Sequence, residues 1–240
     1  MTEPLFRRDA YLHEAAGRVS AHTAEGGIVL DQSLFYPTGG GQPGDTGKLV
    51  FENTTTEIID TIKGDGDAIV LVPRTGARLP APGVPVTQIL DWDRRHRMMR
   101  VHTALHLLSV VIPLPVTGGQ ISPEKGRLDF NMPDAPADKS AIETALNDLI
   151  ARDLAISESW ITDAELAARP EMVKTMSVKP PTGAGRVRLI RIGTPEVQTD
   201  LQPCGGTHVA QTREIGPMRL GKIEKKSRLN RRVNIHLTDP

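Results

Sequence analysis

The sequence predicts an α+β protein in which a small N-terminal β-barrel precedes a mixed α/β domain. Before about residue 90, short apolar runs alternate with Gly, Pro and Asp turn residues, which is typical of a small barrel. After that point, apolar residues recur at helical spacings between short strands. With 38% hydrophobic residues among 240, the chain can fill a core without disulfides. We therefore assign residues 1–88 to a barrel domain and residues 89–240 to a second domain.

The predicted barrel strands are short apolar runs bounded by turn residues. Residues 73–85 contain four prolines and two glycines, so we expect a loop or linker there. The barrel strands are predicted at residues 27–30, 48–51, 57–60 and 68–72.

The second domain contains both helical and strand patterns. Apolar residues at spacings of three and four predict an amphipathic helix over residues 93–112, ended by Pro113, and a second helix over 142–150. Thr162 and Glu165 form a capping-box sequence that opens a third, shorter helix. We find no regular βαβ alternation and no internal repeat. Alternating apolar residues predict strands at 128–130, 187–192 and 233–237.

Composition excludes several classes of protein. Lysine plus arginine equals aspartate plus glutamate, at 29 each, so the global charge does not indicate a polyanion-binding protein. The single cysteine, Cys204, excludes an intrachain disulfide and is usual in a reducing compartment. No signal-peptide core and no apolar run of membrane-spanning length is present. We therefore expect a cytoplasmic protein with no membrane partner.

Two pairs of metal-ligand residues are far apart in the sequence. His102 and His106 are four residues apart on the first predicted helix, so their rings lie over one turn and can converge on a cation. Cys204 and His208 flank two glycines that let the backbone fold tightly. Each pair has an ordinary explanation, in which the histidines border a buried stripe and the cysteine is a small buried residue. Together, the pairs predict a zinc site with three imidazoles and one thiolate.

The number of ligands does not distinguish a structural from a catalytic site, since four protein ligands suit a closed structural site and catalysis requires an open or exchangeable position. The types of donor favour catalysis. Structural zinc sites usually contain several cysteines, whereas three neutral imidazoles and one thiolate leave a net positive metal that can polarise a carbonyl. A metalloprotease of the HExxH type is disfavoured, because Thr103 stands where that motif has its general base. The bond that is cleaved should be easier to hydrolyse than a peptide.

Four segments resemble one family. Residues 102–106 (HTALH), Gln120 with 127–130 (RLDF), and 200–208 (DLQPCGGTH) resemble the editing domain of alanyl-tRNA synthetase and its free-standing relatives, the AlaX family. Residues 35–47 (FYPTGGGQPGDTG) are similar to the glycine-rich motif of the β-barrel that precedes this domain in the medium-length AlaX class.

The resemblance implies a trans-editing enzyme. It would hydrolyse the ester that links a wrong amino acid, typically serine with glycine as a second candidate, to the 3′ adenosine of the acceptor end of alanine tRNA. It would bind one zinc ion through His102, His106, Cys204 and His208. Gln120 matches a family position near the substrate, where it would orient the water or the seryl group; otherwise it is a solvent-facing loop residue.

Serine is larger than alanine, so no steric sieve can admit serine and exclude alanine. Rejection of alanine must depend on the hydroxyl group, because a buried polar group left unpaired costs about 1–3 kcal/mol. Thr38 and Gln120 are candidate partners. Synthetase editing domains often have a threonine just before the second histidine, whereas this chain has Leu105.

The glycine-rich loop has two interpretations. The resemblance implies that Thr38, Gly39, Gly40 and Gly41 shape the amino-acid pocket with unobstructed backbone groups. Alternatively, the glycines only permit positive φ angles in barrel turns.

A basic segment near the C-terminus is the predicted tRNA contact. Residues 213–232 contain eight basic and two acidic residues, a local charge of +6 in a neutral chain. The alternative is a solvated face of a terminal strand. Because only 3% of residues are aromatic, we do not expect stacking on several unpaired bases. The candidate phosphate contacts are Lys222, Lys225, Lys226, Arg228, Arg231 and Arg232.

Two other classes of function fit parts of the pattern. A zinc hydrolase of another small ester or amide would keep the four ligands without needing the basic segment. A non-catalytic zinc module that binds tRNA would keep the basic segment but show no turnover.

Overall fold

The computed structural model describes residues 2–176 and 185–238, which form two units, residues 1–96 and 97–240. The boundary between the units falls inside the long helix α1 (Trp92–Val111). None of the helices within the described residues combines the length and hydrophobicity of a membrane span.

The first unit contains a closed six-stranded barrel, as the sequence predicts. Its strand order is β2-β3-β7-β6-β5-β8, and β1 pairs with β4 in parallel beside it. The predicted loop 73–85 separates β7 from β8. The strands are β1 (Glu3–Pro4), β2 (Glu14–His22), β3 (Ile28–Leu30), β4 (Gln32–Ser33), β5 (Gly47–Phe51), β6 (Thr54–Lys63), β7 (Ile69–Pro73) and β8 (Pro85–Leu90).

The barrel unit has an apolar core and a buried ion pair. Residues of alternating strand positions, such as Leu49 and Phe51 on β5, are buried in its core. Arg95 and Asp45 form a salt bridge in which both side chains are buried, with 0% and 1% exposure. Arg95 also donates to the carbonyl of Leu34 at 2.9 Å, so the guanidinium ties chain segments together inside the unit.

Within its described residues, the second unit contains two antiparallel sheets, most of α1 and two further α-helices. The four-stranded sheet has the order β14-β15-β10-β9, and the three-stranded sheet has the order β11-β12-β13. The remaining helices are α2 (Lys139–Ala151) and α3 (Asp163–Ala167). The strands are β9 (Val116–Ile121), β10 (Lys125–Asn131), β11 (Ile156–Thr162), β12 (Arg186–Gly193), β13 (Gln198–Pro203), β14 (Met218–Lys225) and β15 (Asn230–Leu237).

One face of α1 packs on the four-stranded sheet. A Cβ at Gly126 of β10 would lie 2.6 Å from a methyl of Val101 and 3.0 Å from one of Leu105, so a glycine is needed for this close approach. Leu105 is therefore a core residue, 4% exposed, packed against β10. Where synthetase editing domains often have a threonine, this chain thus has a buried leucine that packs against β10.

The predicted helices are confirmed, with α1 ending two residues before Pro113. Thr162 and Glu165 form the capping box of α3, each side chain bonding to the other residue's backbone N–H. The prediction omitted β1, β2, β4, β8, β9, β11, β13 and β14. Of these, β9, β11, β13 and β14 are edge strands, and β1 and β4 are two residues long.

Candidate metal centre

Helix α1 supplies two of the four predicted ligands. His102 and His106 are one turn apart and buried, with 8% and 6% exposure, and their ring centroids lie 5.3 Å apart. Because Val101 and Leu105 pack on β10, the neighbouring face of the helix carries both imidazoles. The helix thus holds the pair in a fixed relation.

The loop after β13 supplies Cys204 and His208. Its backbone is fixed by β12, because the N–H of Cys204 donates to the carbonyl of Arg188 at 3.1 Å. The guanidinium of Arg188 donates back to the carbonyls of Cys204 at 3.2 Å and Gly206 at 2.8 Å. Arg188 therefore anchors the turn that carries the thiol.

The two pairs converge as predicted. The Sγ atom of Cys204 lies 3.4 Å from Nε2 of His102 and 3.3 Å from Nε2 of His208. All four ligand atoms, including one from His106, lie within 4.8 Å of one another. A tetrahedral site with metal–sulfur bonds of about 2.3 Å and metal–nitrogen bonds of about 2.0–2.1 Å places sulfur and nitrogen about 3.5 Å apart. The cluster could hold a metal ion.

Asp200 orients His106 from behind. Its Oδ2 atom lies 3.0 Å from Nδ1 of His106 and 2.7 Å from the side-chain nitrogen of Gln202, while Lys174 donates to Oδ1 at 2.5 Å. The Nδ1–H of His106 donates to this carboxylate, which leaves Nε2 to bind a metal. A carboxylate behind a ligand histidine fixes its tautomer and its ring orientation.

Thr103 does the same for His208. Its hydroxyl donates to the carbonyl of Met99 at 2.9 Å, so its oxygen is the acceptor for Nδ1 of His208 at 3.1 Å. Thr103, which stands where an HExxH metalloprotease has its general base, therefore orients the predicted ligand His208.

The electrostatics suit a metal-binding set. Burial alone would raise the pKa of the Cys204 thiol, but the charge of His102 holds it well below its usual value, which favours the thiolate. Burial and the charge of His102 lower the pKa of His208, which favours a neutral imidazole. These are the protonation states that metal ligands require.

His106 and Asp200 shift each other's pKa in opposite directions. Burial by itself would lower the pKa of His106, but Asp200 and the Cys204 thiolate raise it to about 9. Burial would raise the pKa of Asp200, but His106 and Lys174 lower it to about 2. A metal held by His106 would replace the proton on Nε2, and Asp200 would keep the proton on Nδ1.

Replacing Asp200 with asparagine should weaken metal binding by about 10- to 100-fold, because the carboxylate that orients His106 is lost. Competition with a chromophoric chelator measures this affinity. Asp129→Asn is the matched control, since its carboxylate binds arginines rather than a ligand histidine. Equal affinity in wild type and Asp200→Asn would show that the orienting bond contributes nothing.

Gln120 lies on β9, exposed, opposite Arg127 of β10. Its side-chain oxygen accepts from Arg127 at 3.1 Å. Positions 120 and 127 lie on the sheet face opposite the one carrying the buried Leu128 and Phe130. The structure thus joins Gln120 to an arginine on this face, and its role at the substrate remains a prediction.

That same sheet face carries a carboxylate between two arginines. Asp129 accepts from Arg127 at 2.9 Å and from Arg232 at 2.8 and 2.9 Å. Burial would raise the pKa of Asp129, but the two arginines lower it overall. Arg232, one of the predicted phosphate contacts, therefore has its charge balanced by a carboxylate.

The contacts of Asp129 with Arg127 and Arg232 predict a contribution to stability that depends on pH. Because the folded pKa of Asp129 is depressed, its contribution is present above the unfolded value of about 3.9 and is lost as pH falls through the folded pKa. The free energy of unfolding should differ between wild type and Asp129→Asn at pH 7, and the difference should shrink toward pH 3. Denaturant titration at several pH values tests this, and a pH-independent difference would contradict it.

In the first unit, the glycine-rich loop forms a tight turn. Gly39 and Gln42 exchange backbone hydrogen bonds at 3.0 Å, and Gly40 and Gly41 between them have φ of 59° and 83°. Positive φ at both central positions defines a type I′ turn. Thr38 accepts from the N–H of Gly44 at 2.7 Å. The glycines therefore meet a conformational need, and their predicted role in the amino-acid pocket stays a prediction.

Residues 218–232 of the basic segment lie on the hairpin β14–β15. Lys222, Lys225 and Arg228 are exposed on it, and Lys226 pairs with Glu224 at 2.7 Å. Arg231 donates to the carbonyl of Pro133 at 2.7 Å. The predicted contacts thus differ in how far other groups already engage them.

Sequence reasoning assigned no role to Asp200, Gln202 or Lys174. The signal for the first two was present, because residues 200, 202 and 204 alternate along a strand and so share one face. Nothing in the sequence pointed to Lys174, which reaches Asp200 from a different segment.

The chain is similar both to family models and to individual known proteins. Residues 187–234 match the family described as Threonyl and Alanyl tRNA synthetase second additional domain, and residues 11–94 match tRNA synthetases class II (A). The whole chain is 34% identical to Alanyl-tRNA editing protein AlaX-M of Methanosarcina mazei, and the alignment covers 98% of that protein. It is 31% identical to Alanyl-tRNA editing protein AlaX-L of Pyrococcus horikoshii, over 95% of the chain and 56% of that protein. It is also 31% identical to Alanine–tRNA ligase of Pyrobaculum calidifontis, over 93% of the chain and 25% of that protein.

Proposed function

The chain belongs to the AlaX family of alanyl-tRNA editing proteins, and from this premise we propose how its metal centre serves the editing reaction. The protein is an aminoacyl-tRNA deacylase that edits mischarged alanine tRNA in trans. The observation that carries the proposal is the convergence of His102, His106, Cys204 and His208 in a chain that aligns with editing proteins over its full length.

The metal is zinc. Three imidazoles and one thiolate are nitrogen and sulfur donors that suit zinc and disfavour magnesium or calcium, which take oxygen ligands. His102, His106, Cys204 and His208 would hold the zinc ion, which would supply positive charge to polarise an ester carbonyl. One ion per chain satisfies the four ligands.

The protein groups around the cluster provide positioning. Asp200 and Thr103 hold the imidazoles of His106 and His208 at their Nδ1 atoms, so the ligand nitrogens do not need to reorganise during the reaction. An aminoacyl ester is already activated. Positioning and charge stabilisation can therefore suffice without a strong carboxylate base.

The substrate is alanine tRNA that carries serine at its acceptor end, with glycine as a second candidate. Selectivity against alanine rests on a hydrogen bond to the seryl hydroxyl, with Thr38 or Gln120 as partner. The loop of Gly39, Gly40 and Gly41 contributes backbone groups to the amino-acid pocket. Gln120 also serves to orient the attacking water.

Deacylation assays test the proposal. Purified protein should hydrolyse Ser-tRNA(Ala) rapidly and spare Ala-tRNA(Ala), and Gly-tRNA(Ala) is assayed beside them as the second candidate substrate. A chelator should remove the activity, and added zinc should restore it. A folded, zinc-loaded protein that turns over none of these esters would overturn the proposal and leave a binding module or a hydrolase of another small ester.

Thr38→Ala and Gln120→Ala separate the two hydroxyl partners. The correct one should lower the preference for serine over alanine by about 10-fold or more, because the variant removes one hydrogen bond to the hydroxyl. The ratio of kcat/KM for Ser-tRNA(Ala) and Ala-tRNA(Ala) measures it.

The hairpin β14–β15 contacts tRNA phosphates. Exposed lysines and arginines on one hairpin, with few acidic neighbours, form a local positive surface in a neutral chain. The contribution of Arg232 is reduced by its bonds to Asp129.

Changing Lys222, Lys225 and Arg228 to glutamine should raise KM for Ser-tRNA(Ala) and leave kcat nearly unchanged. The slope of log KM against log salt should fall by about 1 for each phosphate that the variant no longer neutralises. Arg152→Gln and Arg169→Gln, exposed cations outside the hairpin, are the controls. An unchanged salt slope in the triple variant would show that the hairpin is only a solvated face.

A further inference from the structure

Trp160 is an exposed aromatic residue in the second unit. Residues 97–240 contain only two residues of the Phe, Tyr and Trp type, Phe130 and Trp160. Phe130 is 0% exposed in the core, whereas Trp160 is 39% exposed on the edge strand β11. An indole left in water retains a large apolar face that can bind a flat partner.

Trp160 is positioned beside the loop that carries the thiol ligand. It pairs directly with Arg188 of β12, so both side chains rise from the same sheet face with their Cβ atoms about 4.5–5.5 Å apart. Arg188 in turn donates to the carbonyls of Cys204 and Gly206. One side chain therefore separates the indole from the metal-ligand loop.

The sheet face that carries Trp160 also carries the two residues that contact Nδ1 of His106. Residues 188, 190 and 192 of β12 lie on one face of the sheet. Ile190 pairs with Gln202 of β13 and Ile192 pairs with Asp200, so the side chains of Gln202 and Asp200 lie on that same face. Asp200 contacts His106. Trp160 on the edge strand β11 and Asp200 on β13 therefore lie on the same face of this sheet, and Asp200 orients His106.

The charge near Trp160 fits a nucleotide. Arg186 is exposed on the same face, two residues along β12 from Arg188. The charge of Arg188 is balanced by Glu158 at 2.5 Å. An aromatic platform with a neighbouring exposed cation binds a base by stacking and its phosphate by charge.

We propose that Trp160 stacks on the base of the 3′-terminal adenosine of the tRNA acceptor end. This inference rests on the proposed function, in which the ester that is hydrolysed is attached to the ribose of that nucleoside. When the ester reaches the metal centre, the base on the same ribose must lie close by. Trp160 is the aromatic residue that the second unit exposes beside the ligand loop. It is a single platform, which agrees with a chain too poor in aromatics to stack on several bases.

The first experiment compares Trp160→Leu with Trp160→Phe. Leucine keeps an apolar side chain but removes the aromatic face, whereas phenylalanine keeps both. KM for Ser-tRNA(Ala) should rise about tenfold in Trp160→Leu and stay within about threefold of wild type in Trp160→Phe, with kcat little changed. Val197→Ala, at a residue 60% exposed in the same unit, is the control for loss of an exposed apolar side chain.

A binding measurement gives a readout independent of turnover. Uncharged tRNA(Ala) should quench the tryptophan fluorescence of wild type but not of Trp160→Phe, and tRNA(Ala) lacking only its terminal adenosine should quench much less. Equal quenching by both tRNAs, or an unchanged KM in Trp160→Leu, would overturn the inference, while wild-type deacylation would still support editing. Failure of the wild type to deacylate would instead count against the proposed function.

Discussion

Replacement of Cys204 with alanine is expected to remove most of the bound zinc and to lower deacylation of Ser-tRNA(Ala) by more than about a hundredfold. Loss of a residue behind a ligand already costs about 10- to 100-fold, so loss of a ligand should exceed that range. The thiolate is also the only anionic ligand among the four, within 3.4 Å of two imidazole nitrogens. Zinc content by elemental analysis and single-turnover deacylation rates measure the two effects.

The controls for this variant separate catalysis from folding. His208→Asn should behave like Cys204→Ala, whereas His236→Asn, at a histidine of β15 outside the cluster, should keep its zinc. Circular dichroism then distinguishes the roles of the site. A folded, zinc-free and inactive Cys204→Ala protein indicates a catalytic metal, and an unfolded one indicates a structural metal. Full activity in Cys204→Ala would contradict the assigned ligand set.

Replacement of Asp45 with alanine is expected to lower the free energy of unfolding of the barrel unit by about 3–5 kcal/mol. The variant leaves the guanidinium of Arg95 buried without its counter-ion. The remaining acceptors for Arg95 are the carbonyls of Ala10 at 3.0 Å and Leu34 at 2.9 Å, which carry no full charge. The backbone N–H of Tyr36 also loses the Asp45 oxygen to which it donates at 2.5 Å.

Urea unfolding followed by circular dichroism measures this loss. The matched control is Glu57→Ala, which removes the carboxylate partner of Arg74 in a pair whose side chains are 51% and 63% exposed. A solvent-exposed pair contributes little, so this control should unfold nearly as wild type does. Similar losses in the two variants would show that burial does not determine the value of the Asp45 pair.

The features that were predictable are those with a local signal. Helix α1 was predictable because apolar residues recur along it at helical spacing and Pro113 follows its end. The clustering of His102, His106, Cys204 and His208 was predictable because two short spacings each suit a metal and the donor types agree. The capping box at Thr162 was predictable because its two residues interact within one turn.

The features that were missed depend on tertiary contacts. Strand β11 is exposed on both faces along most of its length, so it has no alternation of apolar and polar residues. Strand β2 has one buried residue, Val19, among nine. The partners of the ligand histidines were missed for the same reason, because Asp200 meets His106 only after β13 has docked near α1.

The separation of the ligands in sequence has a consequence during protein synthesis. His102 and Cys204 meet in the metal centre, yet they are 102 positions apart in the chain. At about 5–20 residues per second, the ribosome adds the cysteine roughly 5–20 seconds after the first histidine. Throughout that interval, a metal ion that meets the nascent chain finds at most two of its four ligands. A metal ion that needs all four side chains can therefore be bound only after Cys204 and His208 have been added to the chain.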